Sequence, residues 1–280
     1  MESPDGSLAA ELVELLRWYA AMGADEAVDE RPHDRFVVPV EVAAPAPRPP
    51  LTARPAAPAP RLSAPSPSGR LLPAAAILPD MAVQAAREAA ATAATLEELR
   101  AVLERFEGCG LKRMASSLVF ADGDPSARVM LVGEAPGAEE DRSGVPFVGR
   151  GGRLLDRMLA AIGLDRTGVY IANVVPWRPP GNREPTPQEV AECLPFVKRQ
   201  IELSDPDILV PMGKAALSAL TGNRDGITRA RGRWGEYHTG RRAVRMLPML
   251  HPAYLLRQPA HKALAWRDWR TLQAALTVTS

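Results

Sequence analysis

The stretch that decides the fold is RVMLVGEAPGAEEDRSGVPFVGRGGRLLDRMLAAIG, residues 128–163. It opens with a predicted strand, Arg128–Val132, whose apolar run VMLV is typical of a strand buried on both faces of a parallel sheet. A turn with two glycines and a proline follows, and it holds the carboxylate of Glu134 beside the strand end. Residues 151–162 then have the spacing of a helix. The stretch therefore predicts a strand and a helix joined by a long, glycine-rich connection.

The same alternation of apolar strands and helical patterns continues towards the end of the chain. It predicts an α/β fold in which helices cover both faces of a parallel sheet. Ligands of such sheets bind at the carboxyl ends of the strands, so unusual residues there are the first candidates for a site. The further predicted strands are Val169–Ala172, Ile208–Pro211 and Met246–Leu250, and the further predicted helices cover residues 187–203, 214–221 and 261–276.

The first 22 residues predict one amphipathic helix, because apolar residues recur there at helical spacing with acidic residues between them. A single helix of this length cannot form a core by itself. Three outcomes are open: the helix docks on the main domain, binds a protein partner, or stays loosely formed. The apolar residues of the pattern are Leu8, Leu12, Leu15, Leu16 and Tyr19.

Residues 23–80 are rich in proline and alanine, and ten of the 28 prolines fall within residues 45–73. Almost nothing in this segment can be buried, so it predicts an extended, disordered linker. We expect the compact domain to cover residues 81–280. Near its start, Thr95–Glu98 has the spacing of a capping box and predicts a helix that runs to about Phe106.

Charge is unevenly distributed along the chain. The whole chain has 34 Lys and Arg against 33 Asp and Glu, a net charge of +1. Residues 1–95 carry 8 basic and 12 acidic side chains, whereas residues 224–270 carry 11 basic and 3 acidic ones. A positive cluster of this density is typical of a surface that binds nucleic acid, and a solvated arginine-rich face is the alternative.

Simple counts exclude several classes of protein. No apolar run approaches the roughly 20 residues that span a bilayer, and the N-terminus lacks the pattern of a secretory signal, so we expect a cytoplasmic protein with no membrane partner. The 2 cysteines cannot build a disulfide framework or a four-cysteine metal site. The turn after the first strand is no GxGxxG fingerprint, and Gly213-Lys214 is no Walker A motif because position 208 is Ile.

Four residues at the predicted strand ends carry groups suited to recognising a base. Glu134 supplies a carboxylate. Phe147 lies in a loop and predicts a stacking platform, or else a ring that folds back onto the sheet. Asn173 offers an acceptor oxygen and two donor hydrogens that read two edge atoms of a base, although asparagine is more often a cap or turn residue. His251, fixed by the following proline, is placed to donate into a ligand site, although a single histidine is more often structural.

Four motifs follow one another along the second half of the chain: GEAPGAEEDRSGVPFVG (133–149), NVVPWRPPGNREPTPQE (173–189), RGRW (231–234) and HPAYLLR (251–257). In this order and spacing they resemble the family-4 branch of the uracil-DNA glycosylase superfamily, and the resemblance covers about residues 105–275. It implies a three-layer α/β/α sandwich with a four-stranded parallel sheet. It also implies a monofunctional, monomeric DNA glycosylase that flips uracil out of DNA and hydrolyses its N-glycosidic bond, which initiates base excision repair near the nucleoid.

The resemblance also implies a role for each matched residue. Glu134 and His251 are expected to be catalytic, with His251 donating to uracil O2, and Ala135, Phe147 and Asn173 are expected to bind uracil as well. Ala135 stands where other branches of the superfamily carry an aspartate that positions water. The residues expected to contact DNA are Pro136, Gly137, Asn182, Arg183, Lys214, Arg229, Arg231 and Arg257, and the candidates for the residue that wedges into the base stack are Arg229, Arg231, Leu255 and Leu256.

The cysteines depart from the family pattern. Family-4 members commonly hold a [4Fe–4S] cluster on four cysteines, and here Cys109 and Cys193 match two of those positions. Phe106 and Trp177 stand at the other two. Two thiolates cannot complete the usual cluster shell, so we predict no iron–sulfur cluster, no other metal and no cofactor. Close packing of two buried thiols is expected more than a disulfide.

Three other functions compete with uracil excision. A glycosylase for hypoxanthine or xanthine would use the same fold, and a non-catalytic module that binds damaged DNA would not need a base-reading amide. A covalent trap for abasic DNA, which one related branch forms through a histidine before the RGRW motif, is disfavoured because residues 226–231 contain no histidine.

Overall fold

The computed structural model describes residues 13–15, 17–18 and 79–277. The linker predicted over residues 23–80 lies outside the described residues up to position 78. The described part of the main domain starts with a helix at Pro79, and its predicted boundary at residue 81 stays a prediction. Its helices are α1 (Pro79–Thr92), α2 (Leu96–Arg105), α3 (Ala138–Ser143), α4 (Arg150–Ala161), α5 (Pro187–Ser204), α6 (Lys214–Thr221), α7 (Ile227–Ala230), α8 (Pro252–Arg257) and α9 (Lys262–Thr277).

One mixed sheet lies at the centre of the domain, in the strand order β1-β3-β2-β4-β6-β5. The four inner strands are parallel, and each edge strand runs antiparallel to its neighbour. The strands are β1 (Asp122–Gly123), β2 (Val129–Gly133), β3 (Tyr170–Asn173), β4 (Ile208–Pro211), β5 (Gly235–His238) and β6 (Ala243–Met246).

The predicted α/β fold with a parallel sheet is confirmed, but the predicted count of four strands is too small. The sequence pattern missed the two edge strands because neither has a continuous apolar run: β1 is only Asp122–Gly123, and β5 buries a single residue, Tyr237. The fourth predicted strand, Met246–Leu250, is also displaced, since β6 ends at Met246. Its apolar residues nevertheless continue along β4 through the bond from Leu247 N to Leu209 O, of 3.0 Å.

Apolar layers cover both faces of the sheet, which explains why the inner strands lack a polar face. Successive side chains of a strand point to opposite faces. In β2, Met130 and Val132 join one layer with α1, α2, α5 and α6, whereas Val129 and Leu131 join the other with α4, α8 and α9. The carboxyl ends of the four parallel strands are left uncovered between these layers.

The helix predicted after the capping box is confirmed. Thr95 caps α2, and its side chain accepts a hydrogen bond from the backbone N–H of Glu98 at 3.2 Å. The carboxylate of Glu98 in turn accepts from the backbone N–H of Ala94 at 2.7 Å. These bonds satisfy amide groups that a helix start otherwise leaves without partners.

The described part of the N-terminal helix docks on the main domain. Trp18 is 2% exposed, and its ring lies 5.4 Å from the ring of Trp266 in α9. A salt bridge of 4.0 Å joins Glu14 to Arg270 in the same helix. Of the apolar residues in the sequence pattern, Leu15 is described and packs partly buried against the α9 layer. The described residues of this segment therefore contact the main domain, and a protein partner of the helix stays a prediction.

Among the described residues, we find no helix long and apolar enough to cross a membrane.

Candidate active site

A cleft of about 1370 Å³ opens at the carboxyl ends of the parallel strands. It brings together the four residues that the sequence singled out, Glu134, Phe147, Asn173 and His251. Most residues expected to contact uracil or DNA line the same cleft, namely Ala135, Pro136, Gly137, Asn182, Arg183, Lys214 and Arg257.

Gly133 lets the base-recognition residues converge. It ends β2 and lies directly opposite Asn173, the last residue of β3. A Cβ atom at position 133 would lie 2.4 Å from Asn173 Oδ1 and 2.6 Å from Phe147 Cζ, closer than real side chains approach. The missing side chain therefore lets the amide and the ring approach the end of β2 closely.

Phe147 packs onto the sheet and also faces the cleft, and its role as a stacking platform stays a prediction. Its ring is 6% exposed and packs with the apolar layer on one face of the sheet, yet it also lines the cleft. It stacks on the imidazole of His251, with ring centroids 5.4 Å apart and planes inclined by 27°. The backbone of Phe147 is left-handed, with φ of 55°.

His251 is held as a neutral donor. It precedes α8, and its Nδ1 accepts a hydrogen bond from the backbone N–H of Ala253 at 3.1 Å. An imidazole that accepts at Nδ1 carries its proton on Nε2. Burial, with a smaller contribution from Arg257, lowers the pKa of His251 to about 4, so the ring is uncharged at neutral pH.

The other two polar groups are left unsatisfied within the protein. The side-chain amide of Asn173 and the carboxylate of Glu134 make no hydrogen bond to any residue in the described part of the chain. Asn173 is only 6% exposed, and it lines the cleft. Burial, followed by the charge of Glu184, raises the pKa of Glu134 above its usual value. Groups left in this state favour a ligand that completes their hydrogen bonds.

Glu140 belongs to the site although the sequence reasoning did not single it out. Its carboxylate accepts hydrogen bonds from the backbone N–H groups of Gly137 (3.0 Å), Val148 (3.0 Å) and Gly149 (2.8 Å). It therefore ties the turn after β2 to the loop that carries Phe147. The signal in the sequence was the acidic residue three positions after Gly137, which is the spacing of a capping box.

The residues expected to contact DNA differ in their surroundings. Lys214 and Arg257 are exposed at the cleft, as is Arg150, which the sequence reasoning did not include. Arg183 makes two hydrogen bonds to Glu189, of 2.6 and 2.8 Å, and thereby lowers the pKa of that carboxyl to about 2. Asn182 accepts from Arg178 Nε at 2.7 Å.

Arg229 and Arg231 do not line the cleft. Arg231 forms an ion pair with the buried Asp268 of α9 and donates to the carbonyl of Leu264 at 2.7 Å, so it holds its loop against that helix. Arg229 is exposed, 3.9 Å from Asp225. Of the two leucines considered as wedges, Leu255 is fully buried in the core and Leu256 is 37% exposed. Burial of Leu255 and pairing of Arg231 leave Arg229 and Leu256 as the exposed candidates.

A second group of residues, which we call the cysteine layer, lies on the face of the sheet that α1, α2, α5 and α6 cover. Its two thiols lie side by side, with Cys193 Sγ 3.8 Å from Cys109 Sγ, and both are buried. Contact with Cys109 and burial raise the pKa of Cys193, which keeps it a protonated thiol. The layer consists of Phe106, Cys109, Trp177, Cys193 and Phe196.

The cysteine layer does not fit a four-cysteine cluster. The ring of Phe106 folds over Gly108 and packs edge-on against Phe196, with centroids 4.9 Å apart. Trp177 is 2% exposed in the same layer. Phe106 and Trp177, which the resemblance sets at the other two ligand positions, carry rings that offer no donor atom to iron. Within the described residues, no group of three or more His, Cys, Asp or Glu side chains is arranged to hold a metal ion.

The chain is similar in sequence to known proteins. Residues 120–271 match the model of the uracil DNA glycosylase superfamily. The chain is 40% identical over 173 residues to the type-4 uracil-DNA glycosylase of Thermotoga maritima, which covers 60% of this chain and 88% of that protein. It is also 40% identical over 155 residues to the type-4 uracil-DNA glycosylase of Archaeoglobus fulgidus, which covers 54% of this chain and 78% of that protein.

Proposed function

The chain belongs to the uracil-DNA glycosylase superfamily, and we propose that its cleft excises uracil from DNA by hydrolysing the N-glycosidic bond to deoxyribose. It is a DNA glycosylase of base excision repair and a hydrolase of N-glycosyl bonds. The observation that carries the assignment to this cleft is the convergence of a free amide, an aromatic ring and a neutral imidazole donor around Gly133.

Base reading is assigned to Asn173 and Phe147. A flipped uracil stacks on the Phe147 ring, and the Asn173 amide donates to O4 and accepts from the N3–H beside it. Cytosine carries an amino group where uracil has O4, so the donor of Asn173 loses its acceptor. Rejection of a base by an unpaired buried amide is strong because the desolvated group has no other partner.

Charge stabilisation is assigned to His251 and Glu134. Cleavage leaves negative charge on uracil and positive charge on the sugar. The Nε2–H of His251 donates to uracil O2, an interaction of the oxyanion-hole type that is worth about 3–4 kcal/mol. The carboxylate of Glu134, which lines the same cleft, favours the cationic sugar and orients the attacking water, whereas the small Ala135 leaves room for the base.

DNA binding is assigned to exposed cationic side chains around the cleft. Flipping a nucleotide costs a few kcal/mol, and contacts to phosphates offset this cost. Lys214, Arg257 and Arg183 lie at the rim, and the turn at Pro136 and Gly137 presents backbone to the strand. Arg229 is exposed farther out and is assigned to flanking phosphates. The monomeric, monofunctional state, the nucleoid location and a protein partner of the N-terminal helix remain part of this proposal.

We also propose that the protein works without an iron–sulfur cluster. The support is the cysteine layer, where only two thiols are present and aromatic rings occupy the other two positions. Iron analysis of freshly purified protein tests this proposal. We expect iron far below one atom per chain, and stoichiometric iron together with sulfide would overturn it.

One gel assay tests the function against its alternatives. Matched duplexes with a single uracil, a single hypoxanthine or no damage are incubated with the protein and then cleaved with alkali. Strand cleavage is expected with uracil alone. Cleavage with hypoxanthine alone would assign the protein to another deaminated base, and binding without cleavage would make it a damage-binding module.

A further inference from the structure

Phe147 has a backbone conformation that its side chain does not favour. Among the described residues, three non-glycine residues have positive φ: Phe147 (55°), Asn182 (54°) and Asp205 (44°). Asparagine and aspartate tolerate the left-handed region, whereas a bulky aromatic residue there is a marked exception. Such strain persists where neighbouring groups hold it, and it clusters at functional sites.

Arg166 holds the carbonyl side of this strained residue. The guanidinium donates to the carbonyl oxygen of Phe147 and, at 3.1 Å, to that of Pro146. Two carboxylates from separate elements fix the guanidinium: Asp122 of β1 at 2.6 Å and Asp156 of α4 at 2.8 Å. The fork of an arginine suits this task, because its planar donors bind several acceptors in one geometry.

The amide side and the floor of the loop are held as well. Glu140 accepts the N–H groups of Val148 and Gly149, the two residues after Phe147. Gly152 lies against the loop from below, and a Cβ atom there would lie 1.5 Å from the carbonyl oxygen of Phe147. These contacts hold the loop in the position where the Phe147 ring lies against Gly133.

We propose that Arg166 is a positioning residue for uracil excision, acting through the backbone of Phe147. Arg166 is not among the residues that line the cleft, so it reaches the base only through the loop that it fixes. Without its two bonds the carbonyls of Pro146 and Phe147 lose their partners, the strained conformation is no longer maintained, and the ring leaves the stacking position. This inference rests on the proposed function, in which Phe147 is the ring that stacks on uracil.

A double-mutant cycle on single-turnover excision tests the coupling. The four proteins are the wild type, Arg166→Ala, Phe147→Leu and the double variant; leucine keeps apolar bulk but removes the aromatic face. Arg166→Ala alone is expected to slow excision about tenfold and to weaken inhibition by free uracil, with binding of undamaged duplex unchanged. In the Phe147→Leu background the same change is expected to cost less than about twofold.

Arg199→Ala is the matched control for general loss of structure. Arg199 also donates to a backbone carbonyl, Ala93 O, at 3.0 and 2.7 Å, and to a carboxylate, Glu202, at 2.8 Å, but it lies away from the cleft. This variant is expected to lose thermal stability comparably and to keep its excision rate.

Three results would overturn the inference. In the first, the double variant loses the product of the two single rate losses, which means that the residues act independently. In the second, Arg199→Ala slows excision as much as Arg166→Ala does, and in the third, Phe147→Leu excises at the wild-type rate. If the wild type excises uracil, each of these results contradicts only the role of Arg166 and leaves the proposed function standing. A folded wild type that does not excise uracil would contradict both the role of Arg166 and the proposed function.

Discussion

The cleft and the cysteine layer adjoin the same sheet, but they differ in the partners of their polar atoms. In the cleft, the Asn173 amide and the Glu134 carboxylate have no partner among the described residues. In the cysteine layer, the thiols of Cys109 and Cys193 contact each other and aromatic rings fill the surrounding space. Folding leaves polar groups without hydrogen-bond partners in the cleft, which is where we propose that the reaction takes place. The cysteine layer contributes packing.

The segment from Asn173 to Trp177 passes through both regions, which makes the contrast sharp. Its backbone is bonded to the turn after β2, through Val174 N to Gly133 O (2.9 Å) and Val175 N to Glu134 O (3.0 Å). Only three residues therefore separate the Asn173 amide from the buried Trp177 ring. A substitution of Asn173 should therefore affect mainly the rate of excision, whereas a substitution of Trp177 should affect mainly the stability of the fold.

The largest effect is expected from His251→Ala in the cleft. Loss of the Nε2–H donor should slow single-turnover excision about 100- to 1000-fold, as for other oxyanion-hole donors. Binding to undamaged duplex should be nearly unchanged. His238→Ala, at an exposed position of β5, is the control and should excise at the wild-type rate. Equal loss of duplex binding in His251→Ala would indicate misfolding instead.

Asn173→Ala should slow excision at least about tenfold, because the flipped base loses its hydrogen-bonding partner. Discrimination should fall too, with a smaller ratio between uracil and cytosine substrates. The measurement is the rate on both substrates at saturating enzyme. An unchanged ratio would remove Asn173 from base reading.

The acid limb of the pH profile should report on Glu134. Its pKa is raised from 4.5 by burial, and an acid that acts as its carboxylate loses activity as pH falls through its pKa. The rate should therefore begin to fall at a higher pH than an ordinary glutamate gives. His251, with a pKa of about 4, should add no inflection near its usual value of 6.5. Glu134→Gln should excise more slowly at neutral pH, and its rate should not fall in this acidic range. A fall that persists in this variant would be due to another titrating group.

Trp177→Leu probes the cysteine layer. It removes part of a fully packed ring and should lower the free energy of unfolding by about 2 kcal/mol, measured by urea denaturation. Excision per folded molecule should stay within about twofold, since the reacting groups are untouched. A tenfold loss of excision with stability intact would mean that the layer takes part in catalysis.

Trp18→Leu probes the docked N-terminal segment. The ring packs on Trp266, so its loss should cost about 1–2 kcal/mol of stability and leave the excision rate unchanged. Deletion of residues 1–78 should have the same pattern of effects. A collapse of activity in the folded deletion variant would place the segment within the catalytic machinery.

The smallest effect is expected when Cys109→Ala and Cys193→Ala are combined. The thiols act as small apolar groups, so stability should change by only about 1 kcal/mol and excision should be unaffected. Thermal melting and single-turnover rates measure both. Loss of activity together with loss of bound iron would show that these thiols hold a metal.

The sequence predicted the inner sheet and the cleft well because both leave local signals. Continuous apolar runs indicated β2, β3 and β4, and strand ends followed by Gly, Asn or His indicated the cleft. The edge strands escaped because their residues are polar and their pairing is settled by neighbours distant in the chain. Arg166, Glu140 and Trp18 escaped for the same reason: each acts through a contact with backbone or ring that only the folded chain brings close.

The most direct test is a single-turnover assay of freshly purified protein on a duplex with one uracil, with iron measured in the same sample. The account predicts complete excision by protein that contains little or no iron, and a rate that a chelator does not change. Absence of excision by folded protein, or a rate that rises in proportion to bound iron, would contradict it.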